Sequence, residues 1–278
     1  MPKIYFIISI LLFVIAIVLA VFCMHYHRKE TYDSQKRIDI VVARYAESLD
    51  WLCDPHIYAI ITNNPAIKTT IYVYNKGHTS APTTFLECYK NQVDLVLQQL
   101  LNVGRCDHTY LHHMITNYDN LADVTIFLPA SCDMSYKIEQ ALFTIEHSYS
   151  DLDGTFVADR FPSPVNIQMA DFQLDAWMSS NDTNKGTNND DSMLPSPIRP
   201  FGDWYKANFR GIVTYDVVFS GIFSASRTHI QNRSQASYMQ LIKYVDGHQN
   251  PEAGHYIERS WLAIFYPVAK NRIFVKGK

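Results

Sequence analysis

The stretch from Leu101 to Pro129 constrains the fold more than any other part of the chain, because a polar turn, an amphipathic helix and a buried strand follow one another without a gap. Asn102 and Gly104 suit the tight or positive-φ backbone that precedes a helix. Arg105 and Asp107 then place a fork of donors and a carboxylate in the first helical turn, an arrangement suited to an anionic or polyhydroxyl ligand. Leu111, Ile115 and Tyr118 form one apolar stripe, with Met114 beside it, as an amphipathic helix requires. Asp123 to Leu128 follows as a strand stopped by Pro129. Turn, helix and strand in this order are half of an α/β unit.

The rest of the chain extends the alternation. Ile38 to Ala43 is a β-branched run of the kind buried on both faces of a sheet, and Thr70 to Tyr74 is a second, closed by the turn Asn75-Lys76-Gly77. A short helix and loop are expected within Asp50–Pro65. Apolar spacing predicts helices over Thr84–Leu101, Ser135–His147, Gln235–Val245 and Glu252–Phe265. Two strands are expected around Ser220-Gly221, within Ile212–Ser224. Between Trp177 and Pro200 the composition turns to Ser, Asn, Asp, Thr, Gly and Pro, which reads as a flexible surface loop over 177–200. The fold class is therefore α/β, a mixed sheet flanked by helices.

An apolar segment precedes this domain. From Ile4 to Cys23 there are twenty residues without a charge, about what a helix needs to cross roughly 30 Å of hydrocarbon. The chain thus divides into a tail (1–3), a transmembrane signal-anchor helix (4–24), a stalk (25–36) and the α/β domain (37–278). A cleaved signal peptide is the rival, but the apolar run exceeds the usual core of about 7 to 15 residues. Arg28, Lys29, Lys36 and Arg37 after the segment favour a cytosolic domain by the positive-inside rule. Sequons at Asn181 and Asn232, which mark a glycoprotein, point the other way. So do Cys53, Cys88, Cys106 and Cys132, which allow two disulfides in three connectivities.

A net charge of −3 with 18% charged residues gives no basic field for nucleic acid. The single literal Asp-x-Asp, Asp151-Leu152-Asp153 followed by Gly154, reads as a turn. His108, His112 and His113 share one helix, and His108 and His112 are one turn apart, close enough to reach one metal. With no third ligand set in the sequence, packing or support is the simpler role, and a His-metal hydrolase or oxygenase ranks last.

Five blocks carry a family resemblance: Val41–Leu52, Tyr74–Gly77, Leu101–Pro129, Phe219–Arg227 and Asn250–Trp261, in that order. Together they resemble the domain of unknown function family 3431, over nearly everything outside the anchor, stalk and loop. That family looks like GT-A (Rossmann-like) nucleotide-sugar glycosyltransferases, its membranous members like lumenal enzymes on one anchor. The resemblance implies a single-pass protein of the ER or Golgi with a lumenal C-terminal domain. It implies a nucleotide-sugar donor, a glycan or lipid acceptor and a divalent cation, Mn or Mg. Arg44, Asn102, Gly104, Arg105 and Asp107 would bind the donor. Asp133, past the strand end at Pro129, would face the metal alone, and Glu258, Arg259 and Glu47 would be catalytic, with Glu258 as base. One departure is Ala46, where the family usually has Asn. Together with the missing Asp-x-Asp pair, it favours the alternative of a non-catalytic carbohydrate- or protein-binding domain.

Overall fold

The computed structural model describes residues 15–19, 35–179, 181, 184–185 and 192–277. Two units divide the chain, Met1–Lys36 and Arg37–Lys278.

The larger unit is built on a five-stranded sheet of order β3-β2-β1-β4-β7. Its strands are β1 (Lys36–Arg44), β2 (Ile67–Asn75), β3 (Asp94–Gln99), β4 (Val124–Pro129) and β7 (Phe223–Ser226). β1 runs parallel to β4 and β2 parallel to β3, while β7 is antiparallel to β4. A second sheet has the order β6-β5-β8, with β5 (Phe156–Arg160), β6 (Asp216–Val217) and β8 (Ile273–Val275). An antiparallel bridge between Thr155 and Ser224 ties it to β7.

The β-branched run in β1 is covered on both faces, as its composition requires. Ile38, Ile40 and Val42 enter one apolar cluster and Val41 and Ala43 the other, the period-two alternation of a strand between two layers. Ile126 and Leu128 of β4 join the first cluster and Phe127 the second. The first layer holds α1 (Pro55–Thr62), α2 (Thr83–Tyr89) and α4 (Ser135–Asp151). The second holds α3 (Arg105–Thr116), α6 (Phe201–Asn208), α8 (Gln235–Ile242), α9 (Glu252–Glu258) and α10 (Trp261–Ile264). Between them in sequence lie two short helices, α5 (Val165–Gln168) and α7 (Arg227–Gln231). This is the expected mixed sheet flanked by helices.

The helix expected over Thr84–Leu101 is instead α2 followed by β3. The chain leaves the helix through Asn91 at φ +61°, and Leu95-Val96-Leu97 then pairs with β2 as an edge strand. Helical spacing of four apolar residues concealed a turn that Asn can make. The helix expected over Glu252–Phe265 likewise breaks into α9 and α10 at Arg259-Ser260.

The single-pass anchor is corrected. Among the described residues no helix is long and apolar enough to cross a membrane. Of the segment 4–24, only 15–19 is described, as helix. The remainder of that segment and most of the 25–36 stalk lie outside the described residues. The transmembrane helix preceding the fold, the membrane as partner through 4–24, the signal-anchor topology and the ER or Golgi localisation with a lumenal domain are not retained.

Cys53, Cys88, Cys106 and Cys132 are all free thiols. Asn181 is buried and its amide donates to Asp133 Oδ1 over 3.3 Å, while the Asn232 amide donates to the carbonyl of Phe265 over 3.1 Å. Both sequon amides are turned onto protein acceptors.

Candidate functional site

Strand direction decides where a site can form. The chain runs from β1 outward through β2 to β3, then returns to the other side of β1 as β4, so the strand order reverses between β1 and β4. Parallel strands that diverge at such a point leave a crevice at their carboxyl ends, where ligands of open α/β sheets bind. A cavity of about 400 Å³ occupies this position, lined by Ala43 and Arg44 at the end of β1 and by Pro129 and Ser131 at the end of β4.

Seven of the nine residues expected at the site line it: Arg44, Glu47, Asn102, Arg105, Asp107, Glu258 and Arg259. They come from three blocks distant in sequence, which the sheet and the packing of α3 against α9 bring together. Gly104 and Asp133 are not among the lining residues.

Gly104 acts through the backbone. It sits at φ +59° before α3, its N–H donates to the His248 carbonyl over 2.8 Å, and a Cβ there would lie 2.2 Å from the Val245 carbonyl oxygen. Arg105 follows at φ +52°, its guanidinium 3.6 Å from the Trp177 ring centroid and its Nε donating to Asn250 Oδ1 over 3.0 Å. Asn102 donates from its amide to Gln249 Oε1 at 3.3 Å.

Arg44 works as a clamp. Its Nε donates to the Glu47 carbonyl at 2.8 Å, and its Nη atoms to Asn75 Oδ1, the Thr79 carbonyl and Thr79 Oγ1. Those bonds fasten the loop after β2 to the end of β1. Glu47 is also engaged: Oε2 accepts from the backbone N–H groups of Tyr45 at 2.7 Å and Ala46 at 3.0 Å, and Oε1 from the Asn184 amide. Ala46 thus contributes its N–H to the site, a contact that no side chain at that position is needed to make.

Glu258 Oε1 accepts from the Ser220 N–H at 2.9 Å, and Oε2 lies 3.3 Å from Arg259 Nη1. Ser220 at φ +69° and Gly221 at φ +64° form the bend that turns this N–H toward the carboxylate. Arg259 stands 3.9 Å from the Phe172 ring centroid and 5.3 Å from that of Phe219. Burial pulls its guanidinium below the usual arginine range.

Lys76, Lys137, Trp177, Gly254 and His255 line the cavity without having been singled out as site residues in the sequence. Lys76 is buried at 6% exposure, and its Nζ donates to the carbonyls of Val103 and Arg105. Burial pulls the ammonium down to about 7. The signal for Lys76 was the Asn75-Lys76-Gly77 turn after β2. Gly77 is needed there because a Cβ would stand 1.9 Å from the Tyr45 carbonyl oxygen. Trp177 had no sequence signal, since it opens the segment read as a surface loop. Of that segment's described residues, Trp177, Ser179 and Asn184 line the cavity, as does Leu174 just before it.

The remaining candidates separate cleanly. Asp151 and Asp153 receive Arg272, with Nη1 2.9 Å from Asp151 and Nε 3.0 Å from Asp153, so the Asp-x-Asp turn is a surface ion-pair clamp. His113 is fully buried, its Nδ1 3.0 Å from the Tyr74 hydroxyl, and His108 stacks on His112 with ring centroids 6.2 Å apart. The histidines pack α3 against the sheet.

A divalent cation of the kind the family resemblance implies does not fit the residues present. Among the described residues no group of three or more His, Cys, Asp or Glu could hold a metal ion. Asp133 Oδ1 takes the Asn181 amide, and both oxygens of its neighbour Glu47 are occupied. Burial and the nearby Glu47 raise the Asp133 carboxyl.

Fold and site define an α/β protein with a polar, aromatic-walled ligand cleft at the switch point of its sheet. The chain belongs to the DUF3431 family, described as proteins of unknown function, whose model matches residues 40–273. No curated protein matches it. Among solved structures, the S. aureus TarS fragment 1–349 aligns at 11% identity and a TM-score of 0.37, covering 86% of this chain and 57% of that one. The chain therefore spans little more than half the length of that relative. Core-mannan synthase A from Aspergillus fumigatus in its Mn/GDP form aligns at 10% identity and a TM-score of 0.37, over 86% of this chain and 72% of the other. The mannosyltransferase Ktr4p of S. cerevisiae with GDP gives 11% identity and 0.37, over 87% and 69%. Likenesses this loose carry no argument about the reaction.

Proposed function

We propose that the cavity binds a nucleotide sugar and that the protein transfers the sugar to an acceptor hydroxyl. The observation that supports this reading is the convergence at the switch point of buried cations, a carboxylate and aromatic walls in about 400 Å³, a volume within the range of small-molecule sites. In this reading Lys76, Arg105 and Lys137 receive the diphosphate. Glu258 takes the proton of the acceptor hydroxyl, whose oxygen attacks the anomeric carbon as the bond from that carbon to the diphosphate oxygen breaks. The cations balance the charge that develops on the leaving diphosphate. No step is assigned to a metal.

A second reading is supported by a specific feature. Both Glu258 oxygens already have partners, Ser220 N–H and Arg259, so a proton from an acceptor would have to displace or share one of these contacts. A non-catalytic domain that binds a sugar-containing ligand would need only the same cavity.

The two readings separate in one experiment on the full chain. Thermal shift and donor hydrolysis are measured across a panel of nucleotide sugars, with and without Mn2+ or Mg2+. A shift with turnover that Glu258→Gln abolishes is the transferase outcome. A shift without turnover, for any hydroxyl acceptor offered, is the binding outcome. Absence of a shift with every nucleotide sinks both as written.

A further inference from the structure

Asp107 occupies the third position of α3, where the helix N-terminus by itself favours an anion. Its surroundings oppose that preference. The side chain is 3% exposed, and Oδ1 has no hydrogen-bond partner among the described residues although the residue lines the cavity. Its other oxygen, Oδ2, has Cys106 Sγ 3.9 Å away, a weak and poorly hydrated contact. Lys76, Arg105, Cys106, Tyr110, Glu258 and Arg259 are the titratable groups around it. Lys76, whose charge acts on it, donates to the carbonyls of Val103 and Arg105 and makes no hydrogen bond to it. No hydrogen-bonded ion pair offsets the loss of water.

Two carboxyl groups therefore share the cavity floor, and their settings differ. Glu258 is held by the Ser220 N–H and the Arg259 guanidinium. Asp107 has only its own backbone N–H, which lowers its carboxyl, and no guanidinium in an ion pair with it. Across from it, Gly254 carries no side chain; a Cβ there would stand 3.7 Å from Asp107 Oδ2. No side chain therefore stands against Oδ2 at this position of α9.

We infer that Asp107 is a neutral carboxylic acid whose O–H donates a hydrogen bond to an uncharged ligand oxygen, so that this end of the cavity selects a hydroxyl-bearing sugar. Burial and the neighbouring Glu258 charge both raise the Asp107 carboxyl well above the usual carboxylate range, in the same sense. The sugar as ligand rests on the nucleotide-sugar reading above, while the neutral state of Asp107 does not.

The experiment uses the full chain labelled with 13C-aspartate, and takes the infrared difference between wild type and Asp107→Asn at neutral pH. In this difference the other aspartates cancel. A neutral-acid carbonyl band lost in the variant is expected; a carboxylate band in its place overturns the inference. Calorimetry with UDP and UDP-glucose as probes then tests the ligand contact. Asp107→Asn, whose amide still donates, should retain the preference for UDP-glucose over UDP. Asp107→Ala should lose it by roughly tenfold, the scale of one buried hydrogen bond. Equal loss in both variants overturns the donor role. Should Asp107→Ala fail to fold, Gly254→Val places a side chain before the carboxyl and should erase the same preference; a preference retained in it overturns the contact. If the wild type binds neither probe, the nucleotide-sugar reading falls and the sugar contact with it, while the infrared band still decides the state of Asp107.

Discussion

Lys76 shows how one residue can carry a charge where water cannot follow. Two peptide carbonyls hold its ammonium, and burial leaves it titrating at about 7. Below that pH it is a cation and above it a neutral amine, so affinity for a phosphate-bearing ligand should fall as pH rises through about 7. Lys76→Met, which keeps most of the stem, should lower UDP affinity about 10- to 100-fold at pH 6 and flatten that dependence, read by calorimetry. Gly104 is constrained more sharply. Its φ of +59° and the 2.2 Å approach of the Val245 carbonyl to a would-be Cβ leave no side chain a place. Gly104→Ala should destabilise by about 2–5 kcal/mol in denaturant unfolding, combining backbone strain with overpacking. The sequence did mark Gly104, because only a residue tolerant of positive φ fits a turn opening directly into a helix. It could not mark the close contact, which needs Val245 from another element.

At the scale of elements, the segment from Leu174 to Arg199 owes its place to a carboxylate. Glu252 at the start of α9 is fully buried and gathers the N–H of Leu174 at 2.9 Å, the N–H of Ser196 at 2.8 Å and the Tyr256 hydroxyl at 2.7 Å, with Arg199 Nε 2.9 Å away. One side chain thus fastens both ends of the cavity wall. Glu252→Ala should cost about 3–5 kcal/mol, because Arg199 and two peptide groups lose their acceptor together. Faster proteolysis within 172–200 than elsewhere would accompany it; uniform loss of protection would refute the clamp. Polar composition made this segment look like surface, since hydropathy does not register a distant acceptor for its N–H groups. β3 escaped for a related reason: its Val96 fits a helical stripe with Phe85, Val93 and Leu100 until pairing with β2 is known.

Across the whole molecule, burial of titratable groups sets the response to acid. His108, His113 and His255 are each held by burial to about 3 in the fold, against 6.5 for an ordinary histidine. The unfolded chain takes up protons that the fold refuses, so each histidine erodes stability progressively as pH falls from 6.5 toward 3. Asp39, raised by burial to about 7, acts in the opposite sense between 7 and 3.8, and Asp107 shares its direction. His112 and His229 share the direction of these histidines and Asp133 that of the two carboxyls, so among the described residues five sites oppose three, and the urea midpoint should fall between pH 6.5 and 5. His113→Gln should make that fall shallower; an unchanged slope would show that His113 is not refusing a proton. The sequence by itself determined the α/β class, the two-faced strand β1, the turn at Gly104 and seven of the residues that line the cleft. Those follow from local patterns, the period of apolar residues and the backbone demands of turns. Only the tertiary structure decided that Arg44 and Glu47 are bound into the scaffold, that Lys76 and Trp177 reach the cavity, and that Asp107 lies buried beside Glu258. Burial and hydrogen-bond partners are set by residues far apart in the chain, and they govern which of the charged groups a ligand can meet.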